Sequence, residues 1–321
     1  MNLDFVAPSA GSSPPSAPTT GRPNSPRERD ASSEAITPLR LALPKGRQQD
    51  GVLALLAEAG ISVDLGGRAY RPTVGLPATE AKLLKPQNVI EMLAAGARDV
   101  GFAGADWALE KGAPVVDLFD TKLDPVRIVA AAPRELLDGD GSLPKRPLII
   151  ATEYVGLTES WVERRGLDAR ILRTFGATEV FPPEDADLIV DNTSSGATLR
   201  ANGLEIIDEV QRSSTRLFAS ESAAADPAKR ARLDEIVLLL QSVLDARSRV
   251  MLELNVGPEN LDALLDELPC MRQPTISGLR GASGFAVRAA VPRADIATLL
   301  PRLKELGGAD IVISGVSQLV P

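Results

Sequence analysis

Hydrophobic and polar positions divide the chain into an aperiodic N-terminal stretch and a long alternation of apolar runs with helical periods. Residues 1 to about 37 are rich in Pro, Ser, Ala and Thr and have no hydrophobic period, which predicts a disordered tail. A transit peptide is the alternative interpretation, and four acidic residues between Asp4 and Glu34 disfavour it. Folded structure is therefore expected from about residue 38.

Two alternating units of strand and helix follow, and a loop rich in Gly, Asp and Pro at 138–147 separates them. The predicted strands are 39–44, 127–133, 147–154, 169–173 and 186–191, with 99–107 a strand that turns into a helix and 209–220 two strand segments. The predicted helices are 48–60, 86–95, 156–165 and 226–246. This alternation predicts α/β layers around a mostly parallel sheet.

The last 70 or so residues have a different pattern. Strands are predicted at 251–256, 274–279, 285–291 and 309–314, and helices at 258–268 and 294–306. Pro301 is expected to kink or interrupt the second of these helices. The order βαββαβ is that of a ferredoxin-like unit.

Composition excludes several classes of chemistry. The 321 residues contain no histidine, so a Ser-His-Asp triad, a Cys-His pair and a histidine metal site are excluded. Cys270 is the single cysteine, so no intrachain disulfide can form and a reducing compartment fits. The net charge of −8 and the aromatic content of 3% disfavour a nucleic-acid binder. Neither a membrane span nor a signal peptide is expected, because no apolar run is long enough and the opening residues include Asp4.

The most informative motif is DADLIVDNTSSGATLRANGL, residues 185–204. A buried run ends at Asp191, a turn of small hydroxyl residues follows, and a helix begins near Ala197. One interpretation is a turn with a Ser or Thr helix cap. The other is a cradle for a sugar phosphate, in which Gly196 lets the backbone approach the ligand and the helix start favours an anion. The motif by itself leaves both interpretations open.

Two further motifs allow both a structural and a functional interpretation. PKGR, residues 44–47, places Lys45 and Arg47 in a turn that opens a helix, where they would either be solvated or bind phosphates. Asp106, in GADW, would either favour a helix N-terminus or bind a ribose.

Taken together, these segments resemble ATP phosphoribosyltransferase of histidine biosynthesis, in its long form, over residues 39–321. LALPKGR, DVGFAGADW, IIATEY and GATEV match in order, 185–204 resembles the family signature, and MLELNV, QPTISGL and VPRADI resemble its regulatory domain. The resemblance implies an α/β fold with a two-lobed, periplasmic-binding-protein-like catalytic part and a C-terminal ferredoxin-like regulatory domain. The implied limits are a tail at 1–37, lobe I at 38–130 and 212–247, lobe II at 131–211 and the regulatory domain at 248–321, with crossings near 127–133 and 211–218.

The resemblance also implies a reaction, in which the adenine ring of ATP attacks the anomeric carbon of phosphoribosyl pyrophosphate (PRPP). Pyrophosphate leaves, phosphoribosyl-ATP forms with inversion, and Mg²⁺ is expected on the pyrophosphate. No residue is assigned as an acid, base or nucleophile, because positioning and charge stabilisation would carry the catalysis. Histidine is implied as a feedback inhibitor, dimers assembling to hexamers as the oligomer, and the cytoplasm as the location.

The site residues that the resemblance implies form three sets. The PRPP-binding set is Asp191, Thr193, Ser194, Ser195, Gly196, Ala197, Thr198 and Glu179. The ATP-binding set is Lys45, Gly46, Arg47, Lys85, Asp106 and Tyr154. The histidine-binding set is Asn255, Met271, Thr275, Ala290 and Asp310.

The sequence departs from the family pattern at two places. Lys85 stands where an arginine is expected, which removes bidentate phosphate binding there. The segment 180–186, VFPPEDA, is shorter than expected and lacks a glycine, which alters the approach to the hydroxyl loop.

Two other functions are weighed against this one. A non-catalytic two-lobed binding protein would explain the lobes but not the hydroxyl loop. Another phosphoribosyltransferase would usually carry two adjacent acids before the loop, whereas here Asp191 is followed by Asn192.

Overall fold

The computed structural model describes residues 36–67, 70–281 and 283–321. The predicted tail therefore lies outside the described residues, apart from its last two positions. The strands are β1 (Leu39–Pro44), β2 (Val63–Asp64), β3 (Thr73–Val74), β4 (Thr79–Leu84), β5 (Val100–Gly104), β6 (Val115–Pro133), β7 (Leu148–Thr152), β8 (Ala169–Arg173), β9 (Leu188–Thr193), β10 (Leu204–Ser220), β11 (Arg249–Val256), β12 (Thr275–Gly278), β13 (Phe285–Pro292) and β14 (Ala309–Gly315). The helices are α1 (Arg47–Glu58), α2 (Pro86–Ala94), α3 (Ala105–Lys111), α4 (Val155–Arg165), α5 (Ala197–Ala201), α6 (Glu221–Ala225), α7 (Pro227–Arg247), α8 (Leu261–Asp266) and α9 (Ile296–Glu305).

The main sheet is mixed rather than mostly parallel, which corrects the expectation from the sequence. Its order is β4-β1-β5-β10-β6-β9-β7-β8. The pairs β1–β4, β1–β5, β7–β8 and β7–β9 are parallel, whereas β10 is antiparallel to β5 and β6, and β6 is antiparallel to β9. Local periodicity predicted the strands but not their directions, because direction depends on which strands become neighbours.

Strands β6 and β10 join two groups of elements, which we call lobe I and lobe II, and each lobe has its own hydrophobic core. The lobe I core surrounds β1, β4, β5, α1 and α7, and it contains Phe119 of β6 and Leu217 of β10. The lobe II core lies around β7, β9 and α4, and it contains Ile128 and Ala130 of β6. Strand β6 thus leaves the lobe I core after Phe119 and enters the lobe II core by Ile128. Residue 130, the end of lobe I that the resemblance implies, packs in the lobe II core.

Both crossing strands are longer than predicted. β10 is one continuous strand from Leu204 to Ser220, with register shifts against β6, and it replaces the two segments expected in 209–220. β6 begins at Val115 rather than at 127. Its first part escaped prediction because the acidic residues Asp117 and Asp120 interrupt the apolar pattern, and in the fold they pair with Arg216 of β10.

The strand directions bring the carboxyl ends of both lobes to one place. β6 runs from lobe I to lobe II and is parallel in sense to β5, so the strands of lobe I point toward lobe II. The strands of lobe II run in the opposite sense and point toward lobe I. Gly104 ends β5 and pairs with Thr215 of β10. Thr193 ends β9 and pairs with Arg127 of β6, which in turn pairs with Arg212 of β10. The two ends therefore reach β10 positions three residues apart, which is about 10 Å of strand.

Asp99 fixes the start of β5 against β1 and α7. Its buried carboxylate accepts hydrogen bonds from the Arg40 side chain at 2.9 and 3.0 Å and from Lys229 Nζ at 2.8 Å. Burial raises the pKa of Asp99, but the hydrogen bonds and charges of these two cations outweigh that effect and hold the pKa at about 2. The carboxyl group therefore stays ionised at neutral pH and keeps the three elements together.

The C-terminal domain has the predicted βαββαβ order. Its sheet order, β12-β13-β11-β14, is that of a ferredoxin-like unit. Alternate residues of β11 and β13 pack with α8 and α9 in one core, and the other face of the sheet is left uncovered by these helices. Helix α9 continues through Pro301 from Ile296 to Glu305, so the expected interruption does not occur. Among the described residues no helix is long and apolar enough to cross a membrane.

Candidate active site

The candidate site lies where the carboxyl ends of the two sets of strands meet. Ligands of α/β proteins commonly bind beyond the carboxyl ends of strands, because loops and helix N-termini converge there. On lobe I the contributing segments follow β1, β4 and β5, and on lobe II the contributing segments follow β7 and β9. The predicted ATP-binding set falls on these segments, and the predicted PRPP-binding set falls on the end of β9 and the loop after it, except Glu179, which follows β8.

The hydroxyl loop follows β9 on lobe II. Ser194, Ser195, Ala197 and Thr198 are exposed, whereas Gly196 is buried at the turn into α5. The loop is held by its own side chains, since the Gly196 amide donates to Thr193 Oγ1 at 2.9 Å and the Ala197 amide donates to Ser195 Oγ at 3.3 Å. The N-cap residue of α5 is Gly196, which has no side-chain cap hydrogen bond, so the Ser or Thr cap expected from the sequence is not formed at this helix. Ser194, Ser195 and Thr198 carry hydroxyl groups on exposed residues of the loop.

Gly196 is needed for the shape of this loop. Its φ is +74°, in the left-handed region where residues other than glycine are strained. A Cβ at this position would also lie 2.9 Å from Arg200 Nη1 and 3.4 Å from Ile206 Cδ1. The backbone conformation of the loop therefore requires a glycine, whereas the flexible end of the exposed Arg200 side chain could move to make room for a Cβ.

Asp191 ends the buried part of β9 in a negatively charged environment. Its Oδ1 accepts a hydrogen bond of 2.6 Å from the Asn192 amide. Burial raises the pKa of Asp191 to about 6, and the charges of Glu153 and Glu179 add to this rise while the hydrogen bond from Asn192 opposes it. Glu179 lies in a short 3₁₀-helix at Thr178–Val180, close enough to act on Asp191. A ligand that donates hydrogen bonds to Asp191 would stabilise its ionised form.

The predicted phosphate-binding cations gather at the ends of β1 and β4. These strands are parallel and Pro44 pairs with Leu84, so Lys45 and Lys85 follow neighbouring positions. Lys45, Arg47 and Lys85 are all exposed. Three cations around the start of α1 produce a local positive charge on a chain whose net charge is −8. This charge favours a polyphosphate, because cations and helix N-termini both attract anions.

Tyr70 is an aromatic residue of this cation group that sequence reasoning missed. Lys45 Nζ donates to the Tyr70 hydroxyl at 3.1 Å and lies 4.6 Å from the centre of its ring. The hydrogen bond and charge of Lys45 lower the pKa of Tyr70. Tyr70 is exposed, so its ring is available beside the phosphate-binding cations.

Asp106 and Tyr154 meet in a buried hydrogen-bonded group that joins the two lobes. The Tyr154 hydroxyl donates to Asp106 Oδ2 at 2.9 Å, and Ser213 Oγ donates to Asp106 Oδ1 at 2.6 Å. Asn192 Nδ2 donates to the Tyr154 oxygen at 3.1 Å. Burial and the negative charge of Asp106 raise the pKa of Tyr154, so its hydroxyl remains a proton donor. In this conformation the Asp106 carboxylate is bound within the chain rather than open to a nucleotide ribose.

The residues present fit a magnesium ion that arrives with a substrate. Within 36–67, 70–281 and 283–321, no group of three or more His, Cys, Asp or Glu side chains is arranged to hold a metal. Magnesium is commonly bound by one or two carboxylates together with substrate phosphates. Asp191 and its acidic neighbours could supply such carboxylates, and a pyrophosphate would supply the other oxygen ligands.

The five residues of the histidine-binding set do not lie in one place. Met271, Thr275 and Ala290 line a cavity of about 410 Å³ on the face of the C-terminal sheet opposite α8 and α9. Asn255 and Asp310 instead form a hydrogen-bonded pair, with 2.9 Å between Nδ2 and Oδ2. Along β11, Asn255 is four residues from Met251, which lines the cavity, and this separation is about 13 Å.

Sequence reasoning missed Ser213, Asn192 and Glu153 because their contacts join distant parts of the chain. Ser213 meets Asp106 across 107 positions, and Asn192 meets Tyr154 across 38. The segments 211–215 and 192–195 are visibly polar in the sequence, but the residues next to them in the chain do not indicate which distant side chains they contact. The antiparallel pairing of β10 with β5 is what brings Ser213 to the start of α3.

Comparison with known proteins gives a consistent set of similarities. A family model described as ATP phosphoribosyltransferase matches residues 85–242, and one described as HisG, C-terminal domain, matches 246–318. The chain is 35% identical over 292 residues to an ATP phosphoribosyltransferase of Chlorobaculum parvum, covering 88% of this chain and 97% of that protein. It is 37% identical over 292 residues to a protein of the same name in Solibacter usitatus, covering 88% and 99%. Among solved structures, an ATP phosphoribosyl transferase (HisG:HisZ) complex from Thermotoga maritima matches with a TM-score of 0.58 and 29% identity, over 64% of this chain and 98% of that chain.

Proposed function

This chain belongs to the ATP phosphoribosyltransferase family, and we propose that it joins ATP to PRPP to form phosphoribosyl-ATP and pyrophosphate. In this reaction the adenine ring attacks the anomeric carbon of PRPP, and inversion at that carbon accompanies loss of pyrophosphate. The product would enter histidine biosynthesis as its first intermediate. The observation that carries the proposal is that the hydroxyl loop and the cation group follow strands that point toward one another from the two lobes.

Lobe II is the proposed PRPP-binding side. The exposed hydroxyl groups and amides of the loop after β9 suit the 5-phosphate, and Asp191 suits the ribose hydroxyl groups as a hydrogen-bond acceptor. Glu179 lies beside Asp191 and adds negative charge near the expected position of the ion on the pyrophosphate. Magnesium, carried by the substrate, would neutralise charge on the leaving group.

Lobe I is the proposed ATP-binding side. Lys45, Arg47 and Lys85 suit the triphosphate, and Gly46 at the start of α1, with φ +90°, lets the backbone approach it. Because Asp106 is bound to Tyr154 and Ser213, its proposed contact with the nucleotide ribose requires that group to rearrange. Tyr154 would then line the cleft between the substrates.

Positioning supplies most of the catalysis in this proposal. Pyrophosphate is already a good leaving group, so the protein needs no histidine to assist its departure. Holding the two reactants at the correct distance and angle can supply roughly 7–11 kcal/mol of the barrier. Fixed cations and hydrogen-bond donors add stabilisation where charge develops in the transition state.

The C-terminal domain is the proposed regulatory part, and histidine is the proposed feedback inhibitor. The cavity lined by Met271, Thr275 and Ala290 is the preferred site, because its size suits one amino acid and its rim carries Arg272 and Arg288. An arginine pairs well with a carboxylate. Asn255 and Asp310 would belong to the histidine site only if a ligand, or a second copy of the chain, reached from this cavity to their hydrogen-bonded pair.

The proposal also includes the domain limits and the assembly. Lobe I comprises 38 to about 120 and 212–247, lobe II comprises the intervening residues, and the regulatory domain comprises 248–321. We expect dimers that assemble to hexamers, in the cytoplasm.

Incubation of the purified chain with ATP, PRPP and MgCl₂ tests the function. Phosphoribosyl-ATP and pyrophosphate should form in equal amounts, and omission of PRPP should abolish both. If ligands bind but no product forms, the chain is a two-lobed binding protein and the proposed activity is wrong. A histidine titration of the same assay tests the inhibition.

A further inference from the structure

Helix α4 of lobe II is capped by a residue of lobe I. The residue before the helix, Tyr154, makes no side-chain cap hydrogen bond. Glu110 of α3 instead accepts hydrogen bonds from the Gly156 amide at 3.1 Å through Oε1 and from the Leu157 amide at 3.0 Å through Oε2. A carboxylate at this position also interacts favourably with the positive end of the helix dipole.

The close approach of α3 and α4 depends on Gly156. A Cβ on this residue would lie 2.8 Å from the backbone oxygen of Glu110 and 3.5 Å from its Oε2. The φ of Gly156 is not in the left-handed region, so the position requires a glycine for space rather than for backbone conformation. The contact between the two helices is therefore tight and specific to this position.

The same face of α3 carries the buried polar group of the cleft. Asp106 and Glu110 are four residues apart, so they lie on one side of the helix. Asp106 receives the Tyr154 hydroxyl, and the Trp107 ring stacks on the Tyr154 ring with 4.8 Å between centroids. Three successive contacts thus join α3 to the start of α4, next to residues of both proposed substrate sites.

We propose that Glu110 is a positioning residue that holds the ATP side and the PRPP side of the cleft in register. This role rests on the proposed transfer reaction, since it concerns the alignment of its two substrates. Glu110 itself touches neither substrate; it acts through α4, which begins beside Tyr154. Loss of the cap would let the lobes shift relative to one another while each lobe kept its own binding residues.

The expected consequence is a fall in kcat without a fall in the affinity for PRPP. Misalignment of bound reactants by about 1 Å can reduce a rate by about a hundredfold. The hydroxyl loop and Asp191 lie within lobe II, so PRPP binding to the enzyme alone should be unchanged. A role limited to stabilising lobe II would instead weaken PRPP binding along with turnover.

Three variants and one control test the role in the full chain. Glu110→Ala removes the cap, and Glu110→Gln keeps its length and leaves one acceptor, so its kcat should be intermediate. Gly156→Ala pushes α4 away from α3, because the added Cβ meets the Glu110 backbone oxygen. The substitution should not weaken α4 itself, since alanine favours a helix more than glycine does. Glu159→Ala is the matched control, because it removes an exposed carboxylate from α4 itself.

The measurements are kcat, the Kd of PRPP by calorimetry without ATP, and amide hydrogen exchange in residues 154–158. In Glu110→Ala and Gly156→Ala, kcat should fall between about tenfold and about a hundredfold with an unchanged Kd for PRPP. In both variants the amides of residues 156 and 157 should exchange faster than in the wild type, whereas the Thr158 amide, which donates to the Tyr154 carbonyl, should not. Glu159→Ala should match the wild type.

Several results would overturn the proposal. A kcat within about twofold of the Glu159→Ala value in both Glu110→Ala and Gly156→Ala would remove the positioning role. A kcat that falls only together with PRPP affinity would make Glu110 a stabilising residue of lobe II. If Glu110→Ala does not fold, Glu110→Gln and Gly156→Ala decide. If the wild type forms no phosphoribosyl-ATP, the proposed function fails, and the exchange data still decide whether Glu110 caps α4.

Discussion

The carboxyl group of Asp191 has the environment that the proposed binding of a ribose would use. Burial, together with the charges of Glu153 and Glu179, raises its pKa to about 6, so its surroundings in the protein disfavour the ionised form. Hydroxyl groups of a ribose would donate to that form and stabilise it. The sequence placed an aspartate at the strand end, but only the fold reveals the acidic neighbours that set its pKa.

This arrangement predicts a pH dependence of PRPP binding. Protonation of Asp191 removes an acceptor, so the KM for PRPP should fall as the pH rises from 5 to 7 and level off above the pKa of about 6. The 5-phosphate of PRPP titrates near the same pH, with a second pKa of roughly 6. Steady-state kinetics of Asp191→Asn separate the two effects, because the variant keeps only the contribution of the phosphate.

The Asn variant should also have a higher KM for PRPP than the wild type at pH 8, while its thermal unfolding stays close to that of the wild type. A wild-type profile that matches the variant profile across the whole range would contradict the role of Asp191.

At the scale of elements, the loop from β9 to α5 combines a structural and a functional requirement. Thr193 and Ser195 hold its backbone, and Ser194, Ser195 and Thr198 are exposed and available to the proposed phosphate. Its helix has only five residues, so in the proposed PRPP site the loop amides and hydroxyls, rather than a long helix dipole, would be the main attraction for the phosphate.

Gly196→Ala should therefore raise the KM for PRPP by about tenfold or more, because the φ of +74° strains a residue with a Cβ and relief of that strain would change the shape of the loop. Gly203→Ala is the matched control, since Gly203 has a φ of +71° with nothing within 4 Å of its Cβ position. Both variants should lose about 1 kcal/mol of folding free energy through backbone strain. Equal KM values for PRPP in the two variants would show that the loop does not bind the phosphate.

Periodicity predicted most elements, and its failures have physical causes. β1, α1, α2 and β9 were predicted within about two residues, because each has an uninterrupted apolar face. β6 and β10 were predicted short, because acidic residues interrupt the apolar pattern in their first parts, 115–126 and 204–208. Pro301 was expected to interrupt α9, yet the helix continues because Leu299 and Leu303 are buried on both sides of it in the core of the C-terminal domain.

At the scale of the whole molecule, the C-terminal domain has a cavity far in sequence from the catalytic lobes. Its cavity lies on the sheet face away from α8 and α9, and Ala290 is half-buried there. The hydrogen bond from the Leu319 amide to the Ser242 carbonyl joins the end of the chain to α7 of lobe I. A ligand in the cavity would therefore lie beside a segment that contacts the catalytic part.

Ala290→Leu should fill part of the cavity and reduce inhibition by histidine at least about tenfold, with unchanged kcat in its absence. The matched control is Ala286→Leu, a half-buried position on the same strand and face that pairs with Asn255. Dose–response curves for histidine distinguish the two positions. Loss of inhibition in Ala286→Leu alone would place the site at Asn255 and Asp310 instead.

The sequence by itself determined the local elements, the aliphatic cores, the absence of histidine chemistry and the family, whose recognition from the quoted motifs is confirmed by the comparisons. These properties depend on residues close together in the chain or on composition. Tertiary structure alone decided the mixed strand directions, the pKa of Asp191, the burial of Asp106 with Tyr154 and Ser213, and the cap that Glu110 gives α4. Each of these depends on which distant segments become neighbours, and no local pattern of hydrophobic and polar residues encodes that choice.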